Sequence, residues 1–190
     1  HEYYAIRNAA ALLDTSPLFK YRFSGPGAET VLQLILARDI RACPPGRAQY
    51  TCWCDERGFV LQDGVVLHVR PGEYWLTAAE PSLRYFRNVA RELRSSAHIE
   101  EISNNFGILA LQGLHAHDVI ARLTDDATPL RFFGLCQTRI EGRDVVVSRT
   151  GYTGDLGYEI WIPSGDAETV WDALVAAGGD YNLTPMGTTP

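Results

Sequence analysis

Two places in the sequence combine residue types that could do chemistry. Asp63 stands between the strand-like Val60-Leu61 and the apolar run from Val65 to Leu67, with Gly64 beside it. A carboxylate among apolar neighbours loses water and can be poised as a general acid or base. The alternative is a turn aspartate that accepts backbone N–H bonds. The second place is Arg149-Thr150-Gly151-Tyr152-Thr153-Gly154-Asp155-Leu156-Gly157-Tyr158-Glu159. Three glycines in seven residues, 151 to 157, permit tight turns and close approach of backbone to a ligand. Tyr152 and Tyr158 offer ring faces and hydroxyls. Glu159 can accept two adjacent N–H donors, as the edge of a pterin or a guanine presents them. The segment is neither a dinucleotide fingerprint nor a phosphate-binding P-loop, since the spacing fails and no long helix follows. Its alternative reading is a long hairpin connection whose glycines serve geometry alone.

The remaining reactive side chains make no comparable constellation. Cys52 and Cys54 are spaced for one face of a strand, with Cys43 and Cys136 elsewhere. Zinc sites usually want two such pairs, or one pair with two histidines, so no metal is expected and the cysteines read as small buried hydrophobes. His115 and His117 would diverge at a helix start. No Gly-x-Ser-x-Gly elbow or His-Glu-x-x-His helix is present. Arg84, Arg87, Arg91 and Arg94 form a row that is either a solvated face or a receiver for an acidic partner or polyglutamyl tail. Trp53, Trp75, Trp161 and Trp171 sit at apolar periodic positions and read as core.

The elements that must position these residues follow from periodicity. Tyr3 to Leu13 reads as a helix, and Phe19 to Phe23 as a half-buried strand. Ser24-Gly25-Pro26-Gly27 is a turn before a helix from Ala28 to Ala37. Tyr50 to Cys54 and Phe59 to Leu61 form a hairpin with Gly58 in the left-handed position. Val65 to Val69 and Tyr74 to Thr77 are strands, and Pro81 to Ala97 is a helix with its arginines outside. The pattern then restarts: strands at Ile99–Ile102 and Phe106–Leu111, a helix from His115 to Leu123, and a hairpin of Phe132–Ile140 with Val145–Ser148. After the glycine loop come a strand from Tyr158 to Ile162 and a helix from Gly165 to Ala177. The last residues, from Asn182 to Pro190, read as turn. Two halves, 1–97 and 98–190, each mix antiparallel strand pairs with one or two helices. The fold class expected is α+β, built from split β-α-β (ferredoxin-like) units.

Composition bounds the function. The 190 residues carry 17 Lys plus Arg against 23 Asp plus Glu, a net charge of −6, with 46% hydrophobic residues. Surface scaling leaves roughly 9,000 Å² exposed of roughly 31,000 Å², enough for a core without metal or disulfide staples. The balance offers no basic footprint for nucleic acid. No apolar run reaches membrane-spanning length, and the first residues lack the pattern of a signal peptide. Four cysteines at this size point to a reducing, cytoplasmic setting. Oligomeric state is not written in these patterns.

The order of short motifs resembles one family. Arg149-Thr150-Gly151-Tyr152-Thr153-Gly154-x-x-Gly157-Tyr158-Glu159 is similar to the signature of the folate-binding aminomethyltransferases, the T-protein of the glycine cleavage system and its relatives. Ala5-x-Arg7, Leu13-Asp14-x-Ser16, Ser24-Gly25-Pro26-x-Ala28, Tyr50, Leu61-x-Asp63, Leu111-Gln112-Gly113, Trp171 and Pro185-x-Gly187 follow the family's order over nearly the whole chain.

The resemblance implies a tetrahydrofolate site in a three-part protein, with a C-terminal barrel beyond Pro190. It implies that Asp63 is the catalytic carboxylate beside the folate N5/N10 region. Tyr152 would line the folate pocket, Glu159 would bond the pterin and Tyr50 would contribute to the pocket wall. The implied reaction is one-carbon (aminomethyl or methylene) transfer to tetrahydrofolate, in glycine catabolism, from a lipoyl-carrier protein. The alternatives are a small-amine donor, as in a folate-dependent demethylase, or folate binding without turnover. Departures exist: Asp14-Thr15-Ser16-Pro17-Leu18 lacks the family's histidine, Gln62-Asp63 keeps one of two aspartates, and Thr77-Ala78-Ala79-Glu80 lacks both amides of the pocket segment.

Overall fold

The computed structural model describes residues 2–187. The chain resolves into two compact units, one of Pro17–Ser103 and one of His1–Ser16 with Asn104–Pro190.

In the Pro17–Ser103 unit, the strands are β2 (Phe19–Ser24), β3 (Arg47–Cys54), β4 (Val60–Arg70), β5 (Glu73–Ala78) and β6 (His98–Glu101), with helices α2 (Ala28–Ile35) and α3 (Leu83–Glu92). They form one sheet in the order β3-β4-β5-β2-β6. Every neighbouring pair is antiparallel. Strands β2 and β4 therefore run the same way with β5 between them, as do β5 and β6 around β2. These are two interleaved split β-α-β units with β3 as an extra edge. Along β5 the side chains alternate: Tyr74, Leu76 and Ala78 join the core cluster of α2 and α3, while Glu73, Trp75 and Thr77 take the other face. Phe86 of α3 is the centre of that core, with ring centroids 5.1 Å from Tyr21, 5.2 Å from Phe23 and 5.4 Å from Trp53, all edge-on.

In the other unit lie α1 (Glu2–Asn8), β1 (Ala10–Asp14), β7 (Phe106–Gln112), α4 (Ala116–Ala121), β8 (Leu135–Ile140), β9 (Arg143–Ser148), β10 (Gly157–Pro163), α5 (Ala167–Gly178) and β11 (Leu183–Met186). The sheet order is β11-β1-β7-β10-β9-β8. Its succession β7-α4-β8-β9-β10-α5-β11 repeats β2-α2-β3-β4-β5-α3-β6 of the first unit, with β1 inserted between β7 and β11. Gly25 and Gly113 mark the same point of the repeat, where a strand turns into a helix, at φ +87° and +118°. Tyr158, Ile160 and Ile162 of β10 pack with Val119, Ile120, Val170 and Leu174 of the helices.

The halves drawn at 97/98 differ from these units in two respects. The first unit runs on to Ser103, because β6 pairs with β2. The N-terminal segment belongs with the second unit, because β1 pairs with both β7 and β11. The helix expected over Tyr3–Leu13 stops at Asn8, and Ala10-Ala11-Leu12-Leu13 are strand. A strand buried on both faces reads as an unbroken apolar run, which periodicity does not separate from a buried helix.

Three other expectations change. The short strands around Asp63 fuse into the single β4, so that residue lies mid-strand and not in a turn. The helix expected to reach Ala97 ends at Glu92, where the chain reverses through Arg94 at φ +48°. The tail is β11, parallel to β1, with Pro185 tolerated because β11 is a sheet edge. The last residues read as turn, 188–190, lie outside the described residues. No helix among the described residues is long and apolar enough to cross a membrane.

Candidate functional site

Glu159 follows from the alternation of β10. Its neighbours Tyr158 and Ile160 enter the core, so its own side chain takes the helix-free face, where it is half-buried. Thr150 Oγ1 donates to Glu159 Oε2, and Thr150 and Ser148 share a hydroxyl–hydroxyl bond of 2.7 Å. Burial pushes the Glu159 carboxyl up, and the bond from Thr150 only partly opposes it. Among the described residues Thr150 is the one donor to this carboxylate, which leaves acceptor capacity for a ligand.

The loop before β10 is built around a buried amide. Gln112, at the end of β7, is fully buried. Its Nε2 donates to Thr150 O at 3.4 Å and Tyr158 O at 3.5 Å, and its Oε1 accepts from Thr153 Oγ1 at 2.9 Å. A Cβ at Gly151 would stand 2.2 Å from Gln112 Oε1, and one at Gly157 2.2 Å from Nε2. Those two glycines make room for the amide, while Gly154, at φ +80°, turns the tip. Arg7 of α1 pairs with Asp155, and Gly113 N donates to Leu156 O at 2.7 Å. The loop thus holds Tyr152 at the surface, 61% exposed. Partial burial first, and the Glu159 carboxylate second, push the Tyr152 hydroxyl up.

Asp63 sits in the other unit. The register places Cys52 opposite Asp63 and Tyr50 opposite Val65, so Tyr50 and Asp63 are diagonal on one face, and the Tyr50 hydroxyl donates to Asp63 Oδ2. That bond is the main reason the Tyr50 hydroxyl is pushed up. The desolvation expected for Asp63 from its apolar neighbours is absent: Asp63 is exposed and Tyr50 is 50% exposed. The cause is the hairpin, whose outer part reaches past the pairing of β4 with β5. At the point of divergence Gly64 is indispensable, since a Cβ there would lie 1.9 Å from Thr77 O. Thr77 Oγ1 accepts from Val65 N at 3.0 Å and takes the place of a ladder bond.

The structure therefore brings Tyr152 to Glu159 and Tyr50 to Asp63. It adds Gln112, Thr150 and Ser148, which sequence reasoning did not single out as site residues. Gln112 was recognisable only as part of a motif, because its contacts are to residues about forty positions away. Cys52 and Cys54 are free thiols on the Tyr50–Asp63 face, and burial pushes the Cys136 thiol up to about 11. Among the described residues no three His, Cys, Asp or Glu side chains gather as metal ligands.

Residues 1–190 match the family described as the GCVT N-terminal domain. The chain belongs to that family. An aminomethyltransferase of Saccharopolyspora erythraea is 34% identical over 189 residues, covering 98% of this chain and 52% of the relative. The gamma subunit of a heme-dependent oxidative N-demethylase of Ectopseudomonas mendocina is 34% identical over 185 residues, covering 97% of this chain and 49% of the relative. Among solved structures, glycine cleavage system aminomethyltransferase T from Bartonella henselae superimposes with a TM-score of 0.84 at 25% identity, covering 97% of this chain and 50% of that one. The chain thus spans about half the length of the curated relatives it matches. The expected α+β fold of split units is the fold of this family.

Proposed function

We propose that this GCVT-family chain serves tetrahydrofolate-dependent one-carbon transfer, with Glu159 holding the pterin. The observation that carries the reading is the half-buried, underused carboxylate of Glu159, near Tyr152 on a loop pre-organised by Gln112. A pterin edge presents adjacent N–H donors, and these match an acceptor that one hydroxyl alone now serves. Tyr152 would supply an exposed aromatic surface to line the ring, while Tyr50 and Asp63 form a hydrogen-bonded pair within the other unit. When bound, tetrahydrofolate supplies the nitrogens that accept the carbon unit. Asp63 would be the carboxylate that stabilises developing positive charge and guides the proton during transfer, with the Tyr50 hydroxyl fixing which of its oxygens is free.

The donor separates two versions of the reaction. The aminomethyltransferase relatives support an aminomethyl group as donor, which we assign to a lipoyl-carrier protein. The N-demethylase gamma subunit supports a small methylated amine. Calorimetry with tetrahydrofolate comes first, followed by transfer assays with aminomethyl-lipoyl carrier, sarcosine and dimethylglycine. The expected result is binding that weakens at least tenfold in Glu159→Gln, with transfer lost in Asp63→Asn while affinity is kept. Transfer at the unaltered rate in Asp63→Asn would refute the role of Asp63. Folate binding without consumption of any donor would leave a binding protein.

A further inference from the structure

Helix α3 ends beside a cleft that the folate reading does not use. It is an open, shallow depression of about 530 Å³ lined by residues including Arg87, Ala90, Arg91, Arg94, His98 and Ile99. Arg87 and Arg91 share a helix face at four-residue spacing, Arg84 extends the row by one turn, and Arg94 follows just past the end of α3.

Elsewhere among the described residues eight arginines have carboxylate partners, among them Arg7–Asp155, Arg22–Glu100, Arg70–Glu73 and Arg139–Asp144, while Arg38 and Arg149 bond backbone carbonyls. Among the described residues no carboxylate forms an ion pair with Arg84, Arg87, Arg91 or Arg94. Glu100, 3.6 Å from His98 Nε2, is already held by Arg22. Arg87 spends two donors on Ile99 O, at 3.2 and 3.1 Å, which covers the free edge of β6. Among the described residues the guanidinium groups of Arg91 and Arg94 have no comparable acceptor.

Helix dipoles account for only part of this row. Cations near a C-terminus are favourable, which suits Arg91 in the last turn. The same field opposes Arg84 and Arg87 in the first half of α3, whose first turn carries no acid. Like charges four apart on a helix, as Arg87 and Arg91 are, also repel weakly. Arg94 adds a second cost. It occupies the left-handed position after the helix, φ +48°, with its N donating to Arg91 O at 3.0 Å and Ser95 N to Ala90 O at 2.9 Å. Glycine is the default residue there, and an arginine is strained. The strain points a guanidinium into the cleft wall at a place where a helix could end without any side chain.

We propose that this cleft binds a small multivalent anion, a ligand with two or more phosphate or carboxylate groups, through Arg91 and Arg94 with Arg87 and His98 beside them. The proposal is independent of tetrahydrofolate. Planar guanidinium groups bind either oxyanion in the same forked geometry, so the two sources share one chemistry.

The test is calorimetric titration of the intact chain with sodium tripolyphosphate and, separately, tri-γ-glutamate, at low and at high ionic strength. Saturable binding of at least one probe is expected, weakened by salt. Which probe binds assigns the source as phosphate or polycarboxylate. Arg94→Gly is the decisive variant, because its two effects run in opposite directions. Relief of the left-handed strain raises the melting temperature of the free protein, while loss of the guanidinium weakens probe binding at least fivefold. A guanidinium that merely supports the fold would lower the melting temperature on removal. Arg91→Gln weakens binding to a similar degree and serves as a second, conservative variant. Failure of both probes to bind the unaltered chain overturns the proposal, as does binding that survives Arg94→Gly and Arg91→Gln unchanged.

Discussion

Two carboxylates on the helix-free faces of the two sheets show how environment separates a structural group from a site. Glu73 begins β5 and is buried, but Arg70 bonds one oxygen at 2.9 Å and Trp75 Nε1 the other at 2.9 Å. Glu159 lies one pleat further into the matching strand, opposite Ala110, and has Thr150 alone. The satisfied carboxylate holds a turn, and the underused one keeps acceptor capacity. Because the folded carboxyl of Glu159 is raised, its contribution to stability is complete below the ordinary glutamate value and is lost as pH climbs through the raised one. Glu159→Gln is therefore expected to gain stability over the unaltered chain as pH rises from the ordinary glutamate value through the raised one, read from urea unfolding at a series of pH values. On the proposed reading, folate affinity in the unaltered chain is expected to run the other way, strengthening over that window as the better acceptor forms. At the second pair, Asp63→Asn removes the negative charge that holds the Tyr50 proton, and spectrophotometric titration should show one tyrosine ionising at lower pH. An unchanged titration curve would mean the Tyr50–Asp63 bond does not form in solution.

At the scale of elements, the glycine loop is a fitted part and not a flexible one. Gly151 and Gly157 press on the two sides of the Gln112 amide, so a methyl group at either position must displace a fully buried side chain. Gly157→Ala should destabilise the chain by about 1–3 kcal/mol, as overpacking does, and should weaken folate binding further than stability alone explains. Gln112→Leu fills similar space but strands two carbonyls and a hydroxyl, with an expected loss of about 1–3 kcal/mol; thermal unfolding checks both. Gly154→Ala, at the tip where nothing lies within contact distance, carries only the left-handed strain. The turn chemistry of this loop was legible in the sequence, as was Gly58 in the left-handed position of its hairpin. The reason for the flanking glycines was not, because Gln112 arrives from another strand.

For the molecule as a whole, the repeated order of strands and helices explains why the chain reads as two α+β halves although their sequences share little. Each half needs only the same alternation of buried and exposed faces, which many side chains satisfy. The core of the first unit converges on Phe86, and Phe86→Ala should lower its stability by about 3–5 kcal/mol, measured by denaturant unfolding. In the second unit β1 lies inside the sheet, so its amides should exchange as slowly as those of β7 and far more slowly than those of α1. Fast exchange at Leu12 would contradict the inserted position.

The sequence by itself determined the α+β class, most strands and helices, the family through its ordered motifs, and the loop that carries Tyr152 and Glu159. These rest on local period and turn chemistry, which a chain expresses residue by residue. Only the tertiary structure decided that Ala10–Asp14 is a strand between β7 and β11, that Leu183–Met186 pairs beside it, that Asp63 is exposed, and that Gln112 holds the loop. Each of these depends on which distant segment supplies the hydrogen bond or excludes the water. Local pattern carries no record of that choice.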